Sequence, residues 1–283
     1  MTWTMTQDLG AFEAAAGGFL RARPVAHTVL LSVAASLGRL GADSYGDGAP
    51  WCGSWRGADG AVAGAFLWTP PRAVLLSPMP DDAAAALADA LTRERCAVPG
   101  VNAVRAPAEA FAAAWRRRHG GTVATAARHR LHRLGELTPP TPAPPGAARV
   151  ATVADRALLL AWFTAFAEET GASPPRHARA VDDRIAHGRC TLWETGGRPV
   201  SLAGVIPTVS GATRIAPVYT PPELRGRGYA GAVTAAVSAA SRHSGATELL
   251  LFTDLANPTS NALYQRLGYR PVGDHLVLEF RDA

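Results

Sequence analysis

The sequence predicts an α/β fold, a mixed sheet covered by helices, laid out as two successive halves. Three observations carry that reading. Apolar residues alternate along the chain between helical spacing and short β-rich runs. Residues 138–146, TPPTPAPPG, place five prolines in nine positions near the middle of the chain. Such a run favours extended polyproline geometry over a packed element. The order of elements ahead of it also echoes the order behind it, although no residue pattern repeats. The expected organisation is therefore a domain over 1–137, a proline-rich linker over 138–146 and a domain over 147–283. With 283 residues, 48% of them hydrophobic, the chain has the apolar material for a real core.

In the first half, helices are expected over residues 9–20 and 26–40, then paired strands over 61–68 and 72–77 joined at Thr69-Pro70-Pro71. A helix over 81–95, a strand over 101–105, a helix over 107–118 and a strand over 128–134 follow. The second half opens with a strand at 149–153. A helix over 155–170 then sets Leu158, Leu159, Trp162, Phe163 and Phe166 at core spacing. Residues 191–194 and 201–209 read as a hairpin around Gly196-Gly197, and 213–219 as a further strand. Residues 230–244 form a helix of small side chains suited to close packing on a sheet. Residues 249–253 are continuously apolar, as in a central strand covered on both faces. The next helix carries its own punctuation: Asn257 at the N-cap, Pro258 at the first helical position and Gly268 just past the end. Residues 275–280 close the chain as a strand.

Composition excludes several chemistries. All 28 basic residues are arginine. A pyridoxal Schiff base and a Walker-type phosphate loop both need lysine, so neither exists here. The net charge of +5 favours anionic partners. Cys52, Cys96 and Cys190 are widely spaced with no Cys-x-x-Cys, so they read as small buried hydrophobes of a reducing compartment rather than a disulfide framework or zinc knuckle. No metal is expected: His129 and His132, three apart on a strand, point to opposite faces. No Gly-x-Ser-x-Gly elbow points to a serine hydrolase. The basic clusters at 116–119 and 128–133 read as solvated faces more readily than as nucleic-acid contacts. The apolar stretches stop short of the roughly 20 residues a membrane helix needs. Residues 1–10 are polar and carry Asp8, unlike a leader. A soluble cytoplasmic protein with no membrane partner, monomeric or homodimeric, is the expectation.

The most informative segment is residues 218–230, VYTPPELRGRGYA. A strand ends at Tyr219, a Pro-Pro turn follows, and Arg225-Gly226-Arg227-Gly228 leads into the small-residue helix. A glycine turn entering a helix N-terminus aims several unpaired N–H groups one way, and the helix dipole adds positive charge there. Glycine lets a phosphate approach the backbone without a Cβ clash. In physical terms this is a pyrophosphate cradle. A solvated basic loop before an ordinary helix is the alternative.

Arg225, Gly228 and Ala230 fit Arg/Gln-x-x-Gly-x-Gly/Ala between strand and helix. Downstream, residues 257–269 read NPTSNALYQRLGY, with Asn257 seven residues ahead of Tyr264 in Leu-Tyr-x-x-x-Gly-Tyr. Together these resemble, in order, the two signatures of the GNAT superfamily of N-acetyltransferases, and the resemblance covers roughly residues 149–280. It implies a full acyl-CoA N-acyltransferase fold in the C-terminal half. The N-terminal half would be a degenerate GNAT-like copy, because its matching place, residues 77–82, SPMPDD, has no glycine or arginine, two prolines without N–H, and two acids that repel pyrophosphate. Pro217 would then mark a β-bulge. The strand around residues 215–220 would splay from that around 250–254, leaving a wedge for the pantetheine arm.

The resemblance also implies roles. Val218, Tyr219 and Thr220 present backbone groups to thioester and pantetheine, with the N–H of Val218 or Tyr219 polarising the carbonyl. Arg225, Gly226, Arg227, Gly228, Tyr229 and Ala230 hold the pyrophosphate of acetyl-CoA, the co-substrate. Asn257 contacts the pantetheine arm, in competition with its N-cap duty. Tyr264 protonates the departing thiolate as general acid. A base for the acceptor amine is sought among Glu168, Glu169, Glu223 and Asp254. The implied activity is acetyl transfer from acetyl-CoA to a primary amine of a small molecule or peptide, by direct attack in a ternary complex. A tRNA- or carrier-dependent acyl or aminoacyl transferase, and a non-catalytic acyl-CoA-binding sensor, are the alternatives on the same fold. Arg176, His177 and Arg179, in a loop expected over 170–181, hint at an anionic acceptor.

Overall fold

The computed structural model of the chain describes residues 2–46, 48–171 and 178–281. The chain folds into two compact units. One comprises Met1–Leu131, Asp254–Ala256 and Val272–Ala283; the other comprises His132–Thr253 and Asn257–Pro271.

Ten elements fill the first stretch of chain: β1 (Trp3–Thr6), α1 (Leu9–Ala22), α2 (Thr28–Leu40), β2 (Trp51–Arg56), β3 (Val62–Trp68), β4 (Val74–Leu76), α3 (Asp81–Arg93), β5 (Gly100–Val104), α4 (Arg105–His119) and β6 (Thr122–Leu134). Ten more follow: β7 (Ala147–Val150), α5 (Arg156–Thr170), α6 (Ala178–Ala186), β8 (Cys190–Thr195), β9 (Arg198–Val205), β10 (Ala212–Tyr219), α7 (Tyr229–His243), β11 (Glu248–Asp254), α8 (Pro258–Arg266) and β12 (Tyr269–Arg281). Short 3-10 turns aside, the two series agree type for type.

The sheet of the first unit runs β1-β2-β3-β4-β5-β12. Only β4 and β5 are parallel; β12 returns from the end of the chain and lies antiparallel to β5, His275 opposite Val104 and Glu279 opposite Gly100. Leu276 and Leu278 of β12 thereby join Phe66, Leu87, Leu91, Phe111 and Trp115 in that unit's core. The second unit orders its strands β11-β10-β9-β8-β7, with β10 and β11 the parallel pair. Neighbouring residues of β8 and β9 split between two clusters, as the two-residue period of a strand requires. Trp193 and Ala203 pack with Val233, Leu249 and Tyr269, while Leu192 and Leu202 pack with Leu159, Phe163 and Val181. Helix α7 thus covers one face of this sheet and α5 and α6 the other.

The first turn before α5 is fixed by charge. Asp155, buried at 8% exposure, accepts two hydrogen bonds from Arg149 at 2.8 Å each and one from the Thr152 N–H, while Arg149 also reaches Glu194. The Arg149 guanidinium pulls the Asp155 carboxyl from 3.8 down to about 2. A depressed carboxyl stabilises the fold above its unfolded value and loses that contribution as pH falls through the folded one. Asp155→Asn should therefore cost about 1–2 kcal/mol at pH 7 in urea unfolding, and the gap to the unaltered protein should shrink from about pH 4 downward.

Several expected elements differ from those observed. Strands β1 and β2 were not expected. β1 has four residues, and β2 contains Gly53, which a strand reading counts against; a Cβ there would meet the Thr4 carbonyl oxygen at 2.5 Å, so close strand approach demands the glycine. The loop expected over 170–181 gives way to α6 from Ala178, a short helix with Val181 buried. Arg176 and His177 lie outside the described residues, and Arg179 is exposed on α6. Strands β6 and β12 each run 13 residues, longer than expected, because weak alternation in 122–127 and Pro271 with Gly273 hid their first halves. Among the described residues no helix is long and apolar enough to cross a membrane, and no three His, Cys, Asp or Glu side chains group as a metal site.

Candidate active site

The site is built where β10 meets the start of α7. Against β9, Ile215 faces Val205 and Val218 faces Ala203, so Ala216 and Pro217 together oppose Gly204. This two-against-one count is the bulge expected at Pro217. Against β11, β10 pairs in parallel from Ala212–Glu248 to Arg214–Leu250, and the ladder ends there although both strands continue. Residues 215–219 therefore leave the ladder on the β11 side.

Sequence reasoning missed what holds the bulge. Arg184 of α6 donates from Nη1 to the carbonyls of Val205 (3.2 Å) and Ala216 (3.0 Å), with its guanidinium over the Phe163 ring. Buried Ser201 donates to the Tyr219 carbonyl at 3.0 Å and lies 2.8 Å from the Thr220 hydroxyl. A Cβ at Gly204 would stand 2.9 Å from the Ala216 oxygen and 3.0 Å from Arg184 Nη1. The glycine opposite Pro217 was the available signal. Gly204→Ala should cost about 1–3 kcal/mol by overpacking, read from a denaturant midpoint.

After Tyr219 the chain turns through Pro222–Leu224 and enters the loop. Arg225 is extended, Gly226 has φ +76 and Gly228 has φ +83. Both glycines occupy the left-handed region that side chains avoid. Gly228 is the N-cap of α7 and offers no side chain to the first turn. The first intrahelical bond is from the Ala232 N–H to the Gly228 carbonyl, so the preceding amides of the turn face outward. The space a Cβ would fill at Gly226 is open to 4 Å, and at Gly228 it meets only Pro144 at 3.7 Å. Uncapped amides, the positive end of the α7 dipole and an unobstructed approach fit a diphosphate. The proline run borders this turn: Pro140 Cγ lies 3.4 Å from a Cβ built at Gly231, and the Pro145 carbonyl accepts the Trp193 indole N–H at 3.0 Å.

The corresponding place in the first unit has different chemistry. Ser77 continues pairing with Ala65 through its N–H and its Oγ, where β10 bulges. Pro80 is the N-cap of α3, Asp81 and Asp82 fill its first turn, and Asp82 Oδ1 accepts the Ala83 N–H. Its donors are depleted by proline and faced by two acids, one of which already accepts the Ala83 N–H.

The remaining expected residues are placed as follows. Asn257 caps α8, its Oδ1 accepting the Ser260 N–H at 3.0 Å, so only Nδ2 is left to donate. Tyr264 is buried at 8% exposure, with Tyr269 edge-on to its ring at 6.1 Å. Burial pushes its phenol well above the usual tyrosine range. Tyr219 is buried beside Trp162, ring centroids 6.0 Å apart, and its phenol is likewise pushed up, by burial first and then by the neighbouring Glu169 carboxylate. Glu168 is exposed at the end of α5. Glu169 accepts from Arg225 Nη2 at 2.6 Å on one oxygen and from the Tyr219 phenol at 3.3 Å on the other. Arg227 turns back to the Glu223 carbonyl at 3.2 Å. Asp254 belongs to the first unit and accepts the Ala256 N–H.

Comparison with known proteins places this arrangement. Residues 157–269 match the model of the acetyltransferase (GNAT) family. No curated protein matches the sequence. Among solved structures, the chain is similar to a GCN5-related N-acetyltransferase from Sphaerobacter thermophilus, with 18% identity, 99% of this chain and 97% of that one covered, and a TM-score of 0.61. It is similar to a tandem GNAT protein from the clavulanic acid biosynthesis pathway, with 15% identity, 98% and 97% coverage and a TM-score of 0.61. A GCN5-related N-acetyltransferase from Kribbella flavida shows 21% identity over 79% of this chain and 89% of that one, with a TM-score of 0.55. At these identities the likeness is one of fold, and its span agrees with the doubled series of elements. Residues 157–269, which contain β10, the glycine loop, α7 and α8, are a domain of the GNAT acetyltransferase family.

Proposed function

We propose that the protein is an acetyl-CoA-dependent N-acetyltransferase, moving an acetyl group to a primary amine of a small molecule or peptide by direct attack in a ternary complex. The observation that carries this reading is the uncapped, glycine-opened N-terminus of α7 directly after a strand that has left its parallel partner. Acetyl-CoA supplies the acetyl group as a thioester already activated toward an amine.

The chain's own residues do the rest. Main-chain N–H groups of the turn at Gly226, Arg227, Gly228, Tyr229 and Ala230, backed by the α7 dipole, hold the diphosphate. Val218, Tyr219 and Thr220 offer backbone groups along the open edge of β10, the first two as donors to the thioester carbonyl. The Asn257 Nδ2 donates to the pantetheine arm. Tyr264 keeps its phenolic proton, as burial dictates, and delivers it to the leaving sulfur. Glu168, exposed at the end of α5, is the carboxylate on the acceptor side, since both oxygens of its neighbour Glu169 are taken by Arg225 and Tyr219. The loop of the first unit leaves that unit a supporting role.

Calorimetric titration with CoA, followed by an acetyl-CoA consumption assay over a broad amine panel, tests this reading. CoA binding with turnover of at least one amine is expected. Thermal stabilisation by CoA without consumption of acetyl-CoA would favour the sensor. Salt-dependent tRNA binding without CoA affinity would favour the tRNA-dependent transferase.

A further inference from the structure

We propose that Glu169 and Arg225 are a positioning pair. Their ion pair holds the start of the loop in its diphosphate-binding shape, and the Arg225 side chain does not itself grip the diphosphate. This rests on the functional reading above and assigns the anion contacts of that site to the main chain.

The geometry of Arg225 points to it. The residue opens the loop in extended conformation, immediately before left-handed Gly226. Its side chain folds backward: Nη2 donates to Glu169 Oε2 at 2.6 Å, Nε donates to the Thr220 carbonyl at 2.9 Å, and the guanidinium sits 6.0 Å from the Tyr219 ring centroid. The second Glu169 oxygen accepts the Tyr219 phenol. One carboxylate thus gathers two donors that flank Thr220, the point where β10 becomes loop. Arg227 also donates backward, to the Glu223 carbonyl. Both arginines of the motif therefore brace residues 219–223, and the forward-facing donors are amides.

The loop needs such bracing. Gly226 and Gly228 lose more conformational freedom on ordering than any other residue type would, and the space beside Gly226 where a Cβ would stand is open to 4 Å. A charge-assisted tie at the loop's first residue offsets part of that cost before ligand arrives. With a guanidinium on one oxygen and a phenol on the other, Glu169 is engaged as a strut, and its effect on catalysis runs through loop shape.

Calorimetric CoA affinity at fixed salt tests the pair with Glu169→Gln, Arg225→Gln, the double variant and the exchanged pair Glu169→Arg/Arg225→Glu. Each single change should weaken CoA by about three- to fivefold, the range of a half-exposed ion pair. The double variant should be no weaker than either single, and the exchanged pair should recover most of the loss. Thermal midpoints check that each variant folds. Tighter CoA binding by Glu169→Gln would show a freed Arg225 acting as ligand and overturn the proposal. Multiplying effects in the double variant, or an exchanged pair as weak as the singles, would overturn it too. In turnover, Glu169→Gln should raise KM for acetyl-CoA and keep kcat; a fall in kcat at constant KM would return Glu169 to the role of base. An unaltered protein that binds no CoA defeats the functional reading itself, and is told apart from these outcomes by that.

Discussion

Gly228→Glu is expected to abolish CoA binding, by more than about 100-fold, while the chain still folds. Gly228 has φ +83, so any side chain there costs about 1–2 kcal/mol in the left-handed region. The new Cβ would meet Pro144 at an ordinary 3.7 Å, so no clash adds to that. A carboxylate at the N-cap of α7 would favourably meet the helix dipole, worth about 0.3–1 kcal/mol, and offset part of the strain. The same carboxylate would accept the turn's amides and repel a diphosphate. Stability and binding are thus expected to move by very different amounts. Gly228→Asn, tolerant of the left-handed conformation, should keep affinity within about tenfold. Circular dichroism with CoA titration checks both variants.

Tyr264→Phe is expected to lower kcat by about 100-fold and leave KM for acetyl-CoA nearly unchanged. The change removes only Oη from a ring buried at 8% exposure against Tyr269. Losing one buried hydroxyl costs about 1 kcal/mol of stability, too little to unfold the domain. The phenol's upward shift by burial means that it holds its proton throughout the neutral range, so no alkaline loss of activity near neutrality should trace to it. Steady-state kinetics with a turned-over amine checks this. Unchanged kcat would remove the acid role.

Much of the second unit was legible because its punctuation is strong. Asn257, Pro258 and Gly268 bracket α8, observed at Pro258–Arg266 with Asn257 as a true side-chain cap. The bulge was implied by the family resemblance, which a proline in an otherwise central strand fits, and the start of α7 by two glycines. Other features had no local signal. That β12 pairs with β5 is a choice of neighbour, whereas periodicity in a strand encodes only which face is buried. Strand β2 hid because close approach to Thr4 put a glycine where a strand reading expects a branched side chain. Glu169 and Arg225 are 56 residues apart, so their ion pair appears only once α5 lies beside β10. Arg184 escaped notice for the same reason. Only the first four residues of its helix fell in the loop expected over 170–181, no element was expected over the rest, and an arginine that satisfies strand carbonyls looks like any surface cation in sequence.

A crystal structure of the protein saturated with CoA is the most direct measurement. Density for the diphosphate within hydrogen-bonding distance of the amides between Gly226 and Gly231, with the pantetheine arm along residues 215–219, is the outcome expected here. A nucleotide seated elsewhere, or none after saturating soaks, would contradict the account.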